Sequence, residues 1–442
     1  MKSNKITIIG GGLAGCEAAW QLAIRNIKVK LFEMKPKKFS PAHKSDKLAE
    51  LVCSNSLRSN QLQSAVGILK EEMRMAGSLI MEAADKNKVP AGKALAVDRQ
   101  AFSSYITDKI LSHPNIEVIR EEVTFVPNEG ITVIATGPLT SNALSESLKK
   151  IIGEDYLHFY DAIAPIVLAE SINMNIAFRG SRYEQGDNRE GDYINCPLTE
   201  EEYKRFITEL LNAKKVPLKD FEKAVYFEGC LPIEVMAQRG LNTLRFGPMK
   251  PVGLIDPRTG KTPYAVVQLR MEDKEGTMYN MVGFQTKLTY PEQKRVFRLI
   301  PGLENAEFVR LGSIHRNTFV CAPKVIDNTL RLKKKSNIFL AGQISGVEGY
   351  VESTAMGLIV ALNIWQILTG KKPLIPPNTT AHGALIFHIS SANPKNFQPM
   401  NVNFGLFKPA EKKIPKKDRA NFYAKRAIED WSRYLHSLGI LN

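Results

Sequence analysis

Two cysteines stand in surroundings that suit a reactive thiol. Cys53 lies in Glu50-Leu-Val-Cys-Ser-Asn-Ser-Leu-Arg58, where apolar residues give way abruptly to polar ones. Ser54, Asn55 and Ser56 are helix-capping or turn residues, and Arg58 adds a nearby positive charge. Thiolates are favoured at helix N-termini and beside cations, and the thiolate is the nucleophilic form. Cys230 lies in Phe227-Glu-Gly-Cys-Leu-Pro-Ile-Glu234, a glycine–cysteine turn stopped by proline that can present a thiol to a cleft. The plainer alternative for any free cysteine is a small buried hydrophobe. That is the expectation for Cys16, inside a helix-like run, and for Cys196 and Cys321. Local context leaves both alternatives open for Cys53 and Cys230.

A second constellation is made of glycines. Ile6, Ile8 and Ile9 form a buried-strand pattern, Gly10-Gly-Gly-Leu-Ala-Gly15 follows, and a helix-like run extends from Cys16 to Ile24. Val29-Lys-Leu-Phe32 reads as a second strand and ends at Glu33, eighteen residues after Gly15. Strand, glycine turn, helix, strand and acid in this order form the dinucleotide-binding fingerprint. Gly10 allows the tight turn, Gly12 lets the backbone approach a pyrophosphate, and Gly15 lets the helix pack on the strands. Gly11, Leu13 and Ala14 complete the turn, whose helix N-terminus offers N–H groups and partial positive charge to phosphates. Glu33 is placed to accept hydrogen bonds from ribose hydroxyls.

Two later segments extend this site. Gly130-Ile-Thr-Val-Ile-Ala-Thr-Gly137 reads as a strand ending where the backbone, at Thr136 and Gly137, can pass close to a nucleotide. Asn337-Ile-Phe-Leu-Ala-Gly-Gln343 is another apolar strand, ending at Gly342 and Gln343, and a long apolar helix is expected from Thr354. The fold class expected is therefore α/β: a doubly wound, Rossmann-type domain built from both chain ends, residues 1–153 and 331–442. The middle, 154–330, is expected to be an inserted α+β domain. In it, Phe159 to Ala169 and Tyr264 to Leu269 read as strands, and Glu200 to Asn212 as a helix opened by Thr199.

Composition narrows the class. With 442 residues, 44% hydrophobic and 24% charged, the chain is neither disordered nor collagen-like nor a disulfide-stapled miniprotein. Its longest apolar stretch, Ala355 to Leu368, is interrupted by Asn363 and Gln366 and reads as too short for a bilayer span. No signal-peptide pattern precedes the first strand, so a cytoplasmic location is expected. Five dispersed cysteines without a Cys-x-x-Cys pair fit free thiols in a reducing compartment. Seven histidines show no metal-binding spacing, so no metal is expected. The net charge of +15 is concentrated in two runs, a local +6 over Lys408–Arg426 and +4 over Lys324–Lys335. Either run alone reads as solvated surface; together they suit an RNA or DNA partner.

Here the sequence resembles a known family. The glycine segment Gly10–Ala19 and the Cys53 segment look like those of the folate- and FAD-dependent tRNA uracil-5-methyltransferases. So do Val89-Pro-Ala-Gly, Leu95-Ala-Val-Asp-Arg99, Phe227–Met236, Phe246–Gly253, His315–Phe319, Gly342–Ser353 and Asn396–Gly405. The match runs over nearly the whole chain. It implies a glutathione-reductase-like FAD domain and a reaction that makes 5-methyluridine. Uracil C5 becomes a nucleophile when a thiolate adds at C6. The carbon comes from 5,10-methylenetetrahydrofolate, a base removes the C5 proton, and the resulting methylene takes a hydride from reduced FAD. NADH or NADPH is the reductant implied. By this resemblance Cys230 is the nucleophile and Cys53 removes or relays the proton. His315 is implied to stack on the pterin, and Tyr350 to line the pterin and flavin pocket.

The RNA target implied is the T-loop uridine of tRNA, with a 23S ribosomal RNA uridine as the alternative, since the same residues serve both. Three other readings compete. One is the related flavoprotein that modifies wobble uridines with a GTPase partner; this chain lacks that relative's long helical C-terminal extension. Another is a flavin-binding RNA chaperone without turnover, which needs neither cysteine. The last is a plain NAD(P)H–flavin oxidoreductase. No obligate protein partner and no membrane association are expected.

Overall fold

The computed structural model describes residues 6–153, 157–182, 191–217 and 231–441, with the side chains of 157–161 and 314–316 left aside. Its centre is a parallel sheet whose strands come from both ends of the chain. Among the described residues the order is Arg331–Leu332, Lys335–Leu340, Ile131–Ile134, Ile6–Ile9, Val29–Phe32, Ile116–Ile119. All pairs are parallel except the two-residue edge strand Arg331–Leu332, which is antiparallel to its neighbour. From Ile6–Ile9 the chain winds first to one side and later returns to the other. The point where winding reverses therefore lies between Ile6–Ile9 and Ile131–Ile134, where open α/β sheets bind ligands at their strand ends.

The first helix, Leu13–Ala23, and the long helix Tyr350–Leu368 pack against each other over this sheet. Contact is close because a Cβ on Gly357 would fall 2.2 Å from the Ala14 carbonyl oxygen. The long helix starts at Tyr350, four residues before the expected Thr354. Gly349, at φ +104°, makes the turn that an ordinary residue resists, so the helix begins directly after it. With 19 residues it is long and apolar enough by composition to cross a membrane, and it is mostly buried as the core helix of this domain. The first helix also buries Glu17, which accepts hydrogen bonds from Ser78 Oγ, the Ile80 amide and Gln21. Burial pushes its carboxyl up to about 7, against the opposing effect of those donors.

A second sheet is antiparallel throughout, in the order Phe178–Gly180, Tyr193–Leu198, Ala265–Met271, Met278–Met281, Ile166–Leu168, Phe308–Arg310. Its apolar face is covered by helix Glu200–Asn212, which Thr199 opens with a capping box to Glu202. The expected strand Phe159 to Ala169 is two strands in different sheets. Leu157–Ala162 pairs with Ile314–Phe319 as a two-stranded ribbon, and Ile166–Leu168 joins the second sheet. Pro165 between them has no N–H to continue a ladder. Buried residues from Val320 onward belong to the core of the parallel sheet.

Candidate functional site

Three glycine segments converge on one cleft of about 1080 Å³ at the reversal point, lined by Gly10, Gly11, Gly12, Leu13, Ala14, Glu33, Thr136, Gly137, Gly342 and Gln343. Gly10 sits at φ +106°, and a Cβ there would lie 2.6 Å from the Ala135 carbonyl oxygen. Gly15 lies behind the cleft, where a Cβ would be 1.8 Å from the Gly10 oxygen. Gly12 is different: a Cβ on it would meet no atom within 4 Å. Gly12 caps the first helix without a side-chain hydrogen bond, so the first-turn N–H groups stay available to an anion. Glu33 braces the turn, its two oxygens accepting from the Gly11 and Lys35 amides at 3.0 and 2.9 Å. A carboxylate accepts about four hydrogen bonds, which leaves capacity for ribose hydroxyls. An uncapped helix start, open space before Gly12 and an acid at the end of the second strand fit FAD.

A second cleft, of about 1360 Å³, adjoins the first and shares Val52, Pro138, Leu139, Gln343 and Tyr350 with it. Cys53 lines this second cleft, its Sγ 3.9 Å from the Ala162 carbonyl. The Tyr350 hydroxyl accepts from the Cys53 amide at 2.7 Å and from the Ser54 amide at 3.3 Å. Burial pushes the Tyr350 phenol up, so it keeps its proton. Cys53 does not stand at a helix N-terminus as its capping neighbours suggested. Asn55 instead bonds the carbonyls of Val97 and Met271, and the chain runs directly into strand Ser56–Ser59. Arg58 turns to pair with Glu352 in the first turn of the long helix.

Three other arginines hold the Cys53 loop. Arg310 donates to the carbonyls of Val52 and Cys53 at 3.1 and 2.9 Å. Arg99 bonds the Leu51 carbonyl and pairs with Glu272 at 3.1 Å. Arg270 donates to Asn55 Oδ1 at 2.9 Å and Ser54 Oγ at 2.7 Å. Sequence reasoning assigned no role to any of them. For Arg270 a signal existed: with Gln268 it is a polar residue inside an apolar strand, Ala265–Met271. Arg310 carries no local mark.

The remaining expectations divide. Cys230 lies outside the described residues. His315 is in the ribbon strand Ile314–Phe319 opposite Asp161, and its side chain is likewise outside the description. Asn317, two residues on, lines the second cleft. Cys16 and Cys196 are fully buried and burial pushes both thiols up, as befits inert packing groups; Cys321 is buried too. Among the described cysteines, Cys53 alone is partly exposed.

Comparison with known proteins bears on this geometry. The family described as "Glucose inhibited division protein A" matches residues 5–372. A Geobacter sulfurreducens protein named methylenetetrahydrofolate–tRNA-(uracil-5-)-methyltransferase TrmFO is 62% identical over 98% of this chain and 99% of its own. A protein of the same name from Desulfotalea psychrophila is 60% identical over 97% of each. Among solved structures, Aquifex aeolicus GidA in its form II crystal superposes with a TM-score of 0.72. That likeness covers 99% of this chain and 74% of the other, at 17% identity, and speaks to the fold alone. Since family model and relatives match along nearly the whole chain, it belongs to the methylenetetrahydrofolate–tRNA-(uracil-5-)-methyltransferase family within the wider glucose-inhibited division protein A group.

Proposed function

We propose that this chain methylates C5 of a tRNA uridine, taking the carbon from 5,10-methylenetetrahydrofolate and reducing equivalents from NADH or NADPH by way of FAD. The observation that carries the reading is the seam between the clefts. Tyr350 and Gln343 belong to both, and Cys53 stands on the side away from the glycine turn. FAD and the folate, when bound, supply the hydride and the one-carbon unit.

The protein's own residues do the rest. Cys230 adds to uracil C6 and makes C5 an enolate carbon able to attack the one-carbon unit, and its thiolate leaves C6 again when the C5 methylene is reduced to methyl and the C5=C6 double bond re-forms. Cys53 removes or relays the C5 proton, on a loop fixed by Tyr350, Arg99 and Arg310. His315 and Tyr350 flank the pterin. In support of Cys230, the amide of Ile233, three residues further on, is bonded to the Gln285 carbonyl at 2.7 Å. Gln285 lines the second cleft. A uridine stacked in folded RNA must be flipped to enter that cleft. The same chemistry serves a ribosomal uridine, and the relatives' names favour tRNA.

The test is to incubate purified holoprotein with methylenetetrahydrofolate, NADPH and, separately, unmodified tRNA and 23S rRNA. Mass spectrometry of the digested RNA then locates 5-methyluridine. Methylated T-loops are expected, and Cys230→Ala abolishes them. Methylation of the ribosomal RNA alone moves the substrate; methylation of neither overturns the reading.

A further inference from the structure

We propose that the C-terminal segment Lys408–Arg426, and not the run Lys324–Lys335, is the surface that grips the phosphates of the RNA arm whose uridine enters the second cleft. This rests on the RNA-methylating reading above. By sequence the two runs are alike, dense in lysine and strongly positive. The structure separates them by what their charges touch.

In the first run four of the five cations are engaged within the protein. Arg331 donates to Thr329 Oγ1 at 2.8 Å and lies 3.6 Å from the Asp327 carboxylate. Lys333 donates to the Pro323 carbonyl at 2.6 Å, and Lys335 to Asn128 Oδ1 at 2.9 Å. Lys324 is engaged as well; Lys334 is the exception, exposed beside Gly153. These side chains fasten a β-turn to the parallel sheet, and RNA phosphates must compete with those partners.

In the C-terminal segment Lys412, Lys413, Lys416, Lys417 and Arg419 are all exposed. None makes an ion pair or a side-chain hydrogen bond among the described residues. Their backbone is nevertheless tied down. Arg426, on helix Arg419–Leu438, donates to the carbonyls of Lys408 and Pro409, which close the segment back onto the helix. Its guanidinium lies over the rings of Phe422 and Tyr423, 5.3 and 5.0 Å from their centroids. Tyr423 in turn stacks on Phe404 at 5.4 Å. Trp431 of the same helix is fully buried, donates to the Glu72 carbonyl at 2.6 Å and stacks on His382. The lysines are thus held out on a strap fixed at both ends, which lowers the ordering cost of binding.

The strap is also continuous with the catalytic cleft. Asn401 lines the second cleft and donates to the Glu348 carbonyl, and the Val402 amide bonds Glu352. The strap begins at Lys408, seven residues after Asn401, and its first exposed lysine, Lys412, follows Asn401 by eleven, which keeps it within about 40 Å of the cleft even for extended chain. A folded RNA that spans this distance with its uridine in the cleft meets the strap. Lysines contacting phosphates supply affinity and orientation without sequence readout and make binding salt-dependent.

The test uses FAD-loaded full-length protein with Lys412, Lys413, Lys416 and Lys417 all changed to Gln, beside a Lys334→Gln control. Flavin absorbance and thermal melting establish that both variants fold as the parent does. The strap variant is expected to raise the KM for tRNA about tenfold or more at physiological salt, with kcat at saturating tRNA unchanged. Its log–log salt slope for tRNA binding is expected to be shallower by up to about 3.6, since each of the four phosphate contacts removed contributes about 0.9. The Lys334 control stays at the parent's values. Unchanged KM and salt slope in the strap variant overturn the proposal, and so does a larger loss in the control. Strap lysines needed for sedimentation with phosphatidylserine vesicles, with tRNA binding untouched, overturn it in favour of a membrane surface. Because tRNA binding is read by filter retention as well as by turnover, a parent protein that binds tRNA without methylating it sinks the proposed function and leaves this surface still measurable.

Discussion

The hydroxyl of Tyr350 accepts the amide proton of Cys53 at 2.7 Å, joining the first residue of the long helix to a loop 297 residues earlier. The same oxygen takes the Ser54 amide, and its own proton stays in place because the phenol is buried. One side chain thus fixes the thiol loop to the wall between the two clefts. Tyr350→Phe keeps the ring and removes the acceptor, leaving two amides unpaired at about 1–3 kcal/mol each where they are buried. The expected outcome is a fall in methylation kcat of about tenfold or more, with FAD still bound by absorbance. Full activity in that variant means the hydroxyl does not position Cys53.

Gly12 and Gly15 are predicted to fail in different ways. A methyl group at Gly12 enters open space before the helix N-terminus, so the apo-protein keeps its melting temperature. It then occupies the place where a phosphate approaches, and Gly12→Ala is expected to weaken FAD binding about tenfold or more, roughly the 1.4 kcal/mol of one lost hydrogen bond to a charged group. Gly15→Ala drives a methyl against the Gly10 carbonyl at 1.8 Å and is expected to lower the melting temperature even without FAD. Fluorescence titration with FAD and melting of both apo-proteins check this. Equal FAD affinity of Gly12→Ala and parent removes Gly12 from the phosphate site.

The glycine site was legible in sequence because its logic is local. Strand, turn and helix follow within some thirty residues, and the two later strands each end in glycine at a place where the chain had to meet the same nucleotide. What escaped was set by tertiary contact. Nothing around Arg310 announces that it will hold the carbonyls of Val52 and Cys53. Ser54-Asn55-Ser56 has the chemistry of a helix cap, and the partners that Asn55 found in two sheets decided otherwise. The two basic runs were indistinguishable by composition, since only the fold determines which lysines meet a carbonyl. The early start of the long helix is readable in principle from Gly349, whose positive φ turns the chain immediately before it.

Arg310 offers a test of whether the arginines under the thiol loop matter to chemistry or only to folding. Arg310→Met preserves length and apolar stem and deprives the Val52 and Cys53 carbonyls of their donor. The variant is expected to lose about 1–3 kcal/mol of stability and to change the rate of Cys53 carbamidomethylation by iodoacetamide, read by peptide mass spectrometry. Arg310→Lys, which retains the charge and one donor at a time, is expected to recover part of both. A merely structural arginine changes the melting temperature and leaves the alkylation rate at the parent's value.

The buried carboxyl of Glu17 gives a pH dependence with a definite sign. Burial raises its pKa in the folded protein from 4.5 to about 7, so the folded state binds this proton more tightly than the unfolded chain. Stability from this group is therefore fully present below about pH 4.5 and is lost as pH rises through about 7. Glu17→Gln removes the titration while keeping an acceptor for Ser78 and Ile80. The melting temperature of the variant, minus that of the parent, is expected to rise between pH 5 and pH 8 by about 1–3 °C. Parallel profiles over that range mean that the three hydrogen-bond donors around Glu17 outweigh its burial and keep the carboxylate ionised. Because the difference between the two proteins is measured at each pH, titrations elsewhere in the chain cancel.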